Sequence, residues 1–222
     1  MEGAKMTKNV AVILAGCGVY DGSEIHEATL SLLALDQAGA HVQCFAPNIM
    51  QMDVVNHITG EQMDEQRNVM VESARIARGN IKPLSAFTAD SFDAVLLPGG
   101  FGAAKNLCNF AVLGSECTVN EEVEEVLRSM HKKGKPIAAL CISPVMLARV
   151  FEGAKVTLGA DGNAAQAIAE GMGAQHIVTT HGQITIDEEL KLITAPCYML
   201  EASIAQIYEG VKNAVDALIE RA

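Results

Sequence analysis

Positive charge is scarce in this sequence. Its 222 residues carry 16 Lys and Arg against 27 Asp and Glu, a formal net charge of −11. A nucleic-acid binder needs a basic surface to neutralise phosphates, and so does a protein that docks on anionic membranes. Neither nucleic acid nor membrane is expected as a partner. No apolar run approaches the roughly 18–20 residues that span a bilayer. Residues 1–9 are short and polar, and the apolar run at 10–15 is too short and wrongly flanked for a secretory signal. The expected location is cytoplasmic, with a mature chain that has lost its leader as the other reading. Six cysteines are present (Cys17, Cys44, Cys108, Cys117, Cys141 and Cys197), but no CxxC and no regular framework. Neither a disulfide scaffold nor a metal site is expected.

What is there is a globular composition, 50% apolar and 19% charged. Short apolar runs alternate with amphipathic stretches, as in a parallel sheet covered by helices. Residues 10–14, 42–45, 94–97 and 136–140 read as buried strands, and 155–158 as a short one. Helical spacing runs from Ile25 to Leu35, over 64–78, behind Val123, Val126, Leu127 and Met130, and over 164–172 and 204–218. Thr118 and Glu121 have capping-box spacing. Residues 183–186 and 191–194 look like a late hairpin. No repeat, low-complexity tract or linker divides the chain. The expected fold is one α/β domain over residues 1–222, doubly wound, with its chemistry beyond the carboxyl ends of the strands.

Three segments sit at those ends. After the first strand, Gly16-Cys17-Gly18 and Gly22 give a GxGxxxG spacing, one residue off the dinucleotide fingerprint. Asp21, Glu24 and Glu27 crowd the place a pyrophosphate would take, and the second strand ends without an acid for a ribose, so no nicotinamide or flavin is expected. Glu24 reads as a helix-dipole residue. His26 reads as a partly exposed helix residue. After the strand at 94–97, Pro98-Gly99-Gly100-Phe101-Gly102 suits an oxyanion hole, or simply a tight turn. After the strand at 136–140, Cys141 lies between Ala139 and Ser143 ahead of Pro144. Small neighbours two positions away are what a nucleophile elbow demands. A helix N-terminus there is expected to lower the thiol pKa. The other five cysteines read as inert.

Taken together, Gly16–Glu27 (GCGVYDGSEIHE), Arg67–Val69 with Ser73–Gly79 (SARIARG), Pro98–Leu107 (PGGFGAAKNL) and Gly134–Pro144 (GKPIAALCISP) resemble the PfpI-like superfamily, which includes class I glutamine amidotransferase-like domains. Within it the likeness is to the ElbB family. The resemblance implies a flavodoxin-like sandwich, a homodimer, and a cofactor-independent glyoxalase that converts glyoxal or a similar small 2-oxoaldehyde to the 2-hydroxy acid, with a loose link to isoprenoid synthesis. It implies Cys141 as nucleophile, Glu27 as the acid in contact with it, and Gly100 and Ile142 as oxyanion N–H donors. Gly99 and Asn106 join them as candidate substrate contacts. The histidine that amidotransferases and proteases of the superfamily use is missing from residues 155–161. His176 and His181 come later and read as surface residues. Hydrolysis of an amide needs a general acid for its amine leaving group, so those activities are not expected. Addition to an aldehyde has no such leaving group. The rival expectation is a non-catalytic redox sensor or partner-binding protein in which Cys141 is oxidised.

Overall fold

The first strand, Asn9–Ile13 (β1), is apolar on both faces, and Val10, Ala11, Val12 and Ile13 are fully buried. A strand of that kind belongs in the middle of a sheet covered on both sides. The structure, a computed structural model, describes residues 7–222 and puts β1 there. Helix α1 (Ile25–Gln37) follows, then β2 (His41–Ala46), α2 (Val69–Ile76), the short edge strand β3 (Ile81–Pro83) and β4 (Ala94–Leu97). A four-residue turn of helix, α3 (Phe110–Leu113), precedes α4 (Glu121–Lys132), β5 (Ile137–Leu140) and α5 (Pro144–Val150). The chain ends with β6 (Lys155–Val156), α6 (Asn163–Gln166), β7 (Gln175–His176), β8 (Thr185–Asp187), β9 (Leu192–Ala195) and α7 (Ile204–Arg221).

Seven strands form one sheet in the order β3-β2-β1-β4-β5-β9-β8, parallel except that β8 runs against β9. Without the edge strands β3 and β8 the order is the flavodoxin one, and the fold is a single flavodoxin-like α/β domain. Helices α1 and α7 pack on one face, over Val10, Val12 and Leu14. Helices α4 and α5 cover the other, over Ala11, Ile13, Val95 and Leu97. The strand order reverses between β1 and β4, so a crevice opens beyond their carboxyl ends, and the end of β5 lies beside it.

Local departures from the sequence pattern have local causes. The helix expected over 64–78 starts only at Val69. Asn68 takes the N-cap, its side chain accepting from the Val71 N–H at 3.1 Å. The capping box expected at Thr118 does not form. Asn120 caps α4 by accepting from Glu122 and Val123, while Thr118 is held by the side chain of Asn109. The strand expected over 155–158 is two residues long and pairs with β7 in a separate ribbon. The late hairpin is present as β8–β9, and β9 docks parallel on β5.

Candidate active site

Cys141 follows β5 directly, and its N–H extends the ladder to the Ala195 carbonyl at 2.9 Å. Its φ of 58° is left-handed, a conformation L-residues rarely hold without a structural reason. Ser143 pins the turn by donating from Oγ to the Pro98 carbonyl at 2.7 Å, which ties the end of β5 to the end of β4. Gly99 presses against the same turn. A Cβ there would lie 2.3 Å from Cys141 Cβ and 2.7 Å from Glu27 Oε2. At Gly100 (φ 97°) it would meet Glu24 N at 2.3 Å. Gly22 and Gly102 are as tightly stacked: a Cβ on Gly102 would stand 2.4 Å from Gly22 Cα. The edge is therefore backbone packed on backbone, and that closeness brings Cys141 and Glu27 together.

Glu27 projects from the first turn of α1 and is fully buried. Its Oε2 accepts from Gly99 N–H at 2.9 Å and its Oε1 from Tyr198 N–H at 3.2 Å, and it hydrogen-bonds the Cys141 thiol. Burial first, and the neighbouring Glu24 carboxylate second, push the Glu27 carboxyl up to about 8. The hydrogen bonds from Tyr198, Cys141 and Gly99 only partly offset this. Glu27 is thus protonated at neutral pH. Burial likewise pushes the Cys141 thiol well up, and a charged Glu27 would push it further. Two backbone N–H groups, from Gly100 and Ile142, point at the sulfur and favour thiolate. The expectation that a helix N-terminus would lower this thiol fails, because the site is buried and desolvation outweighs the seven-residue helix α5. Thiol and carboxyl share protons as one coupled pair.

Glu24 is the N-cap of α1, with Oε2 accepting from Glu27 N–H at 2.7 Å, which agrees with its structural reading. The N–H groups of Gly100 and Ile142, candidate oxyanion donors, both meet at the sulfur. Gly99 lies in the site, but its N–H is taken by Glu27 and its carbonyl by Glu24 N–H. Asn106 is a tie between loops, not part of the cleft lining. Its Nδ2 donates to the Ala15 and Asp21 carbonyls at 2.9 and 3.0 Å, and its Oδ1 accepts from Met52 N–H at 2.9 Å. His176 is not a surface residue. Its ring is buried on β7, where Nε2 accepts from Leu158 N–H. Neither it nor His181 lines the cleft.

The histidine nearest the chemistry is His26, whose Nδ1 lies 2.9 Å from the hydroxyl of Tyr198, a residue of the cleft wall. That pair spans 172 positions of sequence, so no local pattern signals it. Cys197 also turns in with a left-handed φ of 43°, buried beside Cys141. Cys117 is fully buried and hydrogen-bonded to Cys108. Among the described residues no cluster of His, Cys, Asp and Glu could hold a metal ion. The cleft over Cys141 has a volume of about 370 Å³. A hollow of about 730 Å³ along α7, between Val178 and Arg221, holds no cysteine or histidine.

The family model described as the DJ-1/PfpI family matches residues 9–195, which include Glu27, Gly99, Gly100, Cys141 and Ile142. The chain belongs to that family. A human relative within reach, "Glutamine amidotransferase-like class 1 domain-containing protein 3, mitochondrial", is 45% identical over 95% of this chain and 82% of its own length. The DJ-1/PfpI fold is matched by a crystal structure from Ehrlichia chaffeensis described as an isoprenoid biosynthesis protein with an amidotransferase-like domain. It has a TM-score of 0.91 and 36% identity, and covers 97% of this chain and 99% of that one. Glyoxalase III from Candida albicans has the same fold, with a TM-score of 0.62, 16% identity and 97% and 98% coverage. The cytoplasmic expectation is overturned: the human relative is named as mitochondrial, and so are relatives from rat and zebrafish.

Proposed function

We propose that this DJ-1/PfpI protein is a cofactor-independent glyoxalase acting on glyoxal or a similar small 2-oxoaldehyde, with Cys141 as nucleophile and Glu27 as proton shuttle. The observation that carries this reading is a buried carboxyl, pushed up to about 8, hydrogen-bonded to a thiol at which two N–H groups point. A group with a pKa near the working pH can both give and take a proton.

In the form of the pair that holds a single proton, the Cys141 thiolate bonds to the aldehyde carbon, C1, and Glu27 gives its proton to the new oxygen. The N–H groups of Gly100 and Ile142 hold that oxygen while it is negative. Glu27, now a carboxylate, takes the hydrogen from C1 to give an enediol and returns it to C2. C1 is left as a thioester. Water adds there and gives a proton to Glu27, the C1–S bond breaks, and the thiolate and the protonated carboxyl are restored. The net change is uptake of one water: C1 is oxidised and C2 reduced, so no outside oxidant is needed. The homodimer implied by the resemblance is part of the same proposal, and sedimentation of the purified protein tests it.

A second reading, a sensor in which Cys141 is oxidised, is favoured by one observation. Cys197 is a second thiol buried beside Cys141, within the same set of interacting groups. Glycolate formation from glyoxal, lost in Cys141→Ala, decides for the enzyme. Peroxide-driven linkage of Cys141 to Cys197 without any turnover decides for the sensor.

A further inference from the structure

We propose that the cleft selects 2-oxoaldehydes whose second substituent is apolar and uncharged, of aryl or branched alkyl size, over glyoxal and over any anionic aldehyde. This rests on Cys141 being the nucleophile of a glyoxalase. Three observations converge on it.

The first is size. Glyoxal has four heavy atoms and displaces on the order of 60–70 Å³, two to three waters' worth. The cleft holds about 370 Å³, so most of it is shaped for something else. The second is the lining. Val19, Phe101, Phe110, Ala111, Ile142 and Met199 surround the sulfur with hydrocarbon. A hydrated dialdehyde gains nothing from such a wall, whereas an apolar substituent leaves water on entering it.

The third is charge. Among the described residues no Lys, Arg or His lines the cleft, and its one acidic residue is Glu24. The nearby cation Lys105 is already engaged, 2.7 Å from Asp53 Oδ2 and 3.0 Å from the Tyr20 carbonyl. A carboxylate or diphosphate on the substrate would lose its hydration, find no partner and face a like charge. The same argument rejects the α-carboxylate of glutamine.

The test has one arm that needs no turnover. Cys141 is alkylated near neutral pH with iodoacetamide, N-benzyl iodoacetamide or iodoacetate. Each rate is read by mass mapping and divided by that of free glutathione with the same reagent. The benzyl reagent is expected to gain about tenfold over iodoacetamide, and iodoacetate to lose about tenfold. Ala111→Lys, on the exposed helix α3, is expected to recover most of the loss with iodoacetate. Equal normalised rates for the three reagents overturn the proposal.

The second arm compares kcat/KM for glyoxal, phenylglyoxal and 4-carboxyphenylglyoxal. Phenylglyoxal is expected to lead by about tenfold or more, with the carboxylated analogue behind it. Glyoxal equal to or above phenylglyoxal overturns the proposal and leaves the glyoxalase standing. A benzyl preference at Cys141 with no aldehyde consumed overturns the glyoxalase and the naming of the substrate. The cleft's apolar selectivity would then remain as a property of the thiol.

Discussion

Glu27 and Glu72 are the same residue type, each in the first turn of a helix and each buried, yet their surroundings are opposite. Glu72 lies 2.8 Å from the Arg75 guanidinium and 3.8 Å from that of Arg67. Among the described residues no cation pairs with Glu27. Its partners are two backbone N–H groups and a thiol, and its nearest charge is another carboxylate. Burial alone therefore does not mark a functional acid. The mark is burial where the charge is left uncompensated, so that the neutral form survives to physiological pH.

That contrast is broken hardest by exchanging each acid for its amide. Glu27→Gln should fold and lose about 10²–10⁴-fold in glyoxal turnover, since the amide keeps the shape and removes the transferable proton. Glu72→Gln should keep that activity within about twofold. It should lose on the order of 1 kcal/mol in urea unfolding, because its two arginines are open to solvent and can rehydrate. Similar activity losses in both variants would show that the contrast carries no chemistry.

A second measurement concerns pH. In the folded chain Glu27 keeps its proton up to about 8, whereas the unfolded chain releases it near the ordinary value of 4.5. Between those values the native state binds more protons, so the contribution of Glu27 to stability is complete below 4.5 and declines as pH rises to about 8. The decline can reach at most about 1.4 kcal/mol per pH unit. Urea titrations at intervals from pH 5 to 8.5 should show this slope in the wild type and a flatter one in Glu27→Gln. Parallel slopes would mean that Glu27 is ionised in the native state.

Smaller effects sharpen the comparison. Removing the Glu24 charge with Glu24→Gln takes away the second cause of the raised Glu27 pKa. The rising limb of the pH–rate profile should move to lower pH, alongside a cap loss of about 1 kcal/mol. An unmoved limb would assign Glu24 to capping alone. Smallest of all, Tyr198→Phe removes the hydroxyl that meets His26. It should change turnover by less than about tenfold, because the Tyr198 backbone N–H still holds Glu27. A loss as large as that of Glu27→Gln would make the Tyr198–His26 pair part of the proton path.

How much of this was legible in the sequence depends on how local each cause is. The elbow at Cys141 was legible because its steric demand falls on Ala139 and Ser143, two positions either side. Glu24 was legible as a helix-dipole residue, but its place as the N-cap of α1, accepting from the Glu27 N–H, was not. Glu27 came only through the family resemblance, since no pattern around it announces a contact with a residue 114 positions later. The thiol's environment was misread because a helix terminus is visible in a sequence and desolvation is not. The start of α4 turned on two cap-formers, Thr118 and Asn120. Asn109, reaching across an isolated bridge between Cys108 and Val119, settled which of them was free. The role of Asn106 was hidden because its three partners come from two loops far from it in sequence, Ala15 and Asp21 after β1 and Met52 after β2.

The stacked glycines of the sheet edge have a consequence for how this protein can diverge. At Gly22, Gly99, Gly100 and Gly102 even one added methyl would overlap backbone or the nucleophile itself. A saturation library should find these positions closed to every replacement, including ones remote from any role in the reaction. Variation that retunes the substrate must then collect on the opposite wall, at Val19, Phe110 and Ala111, where side chains and not backbone form the boundary. The reaction and its specificity would thus be inherited separately, the first fixed in the main chain and the second free to drift in a few side chains.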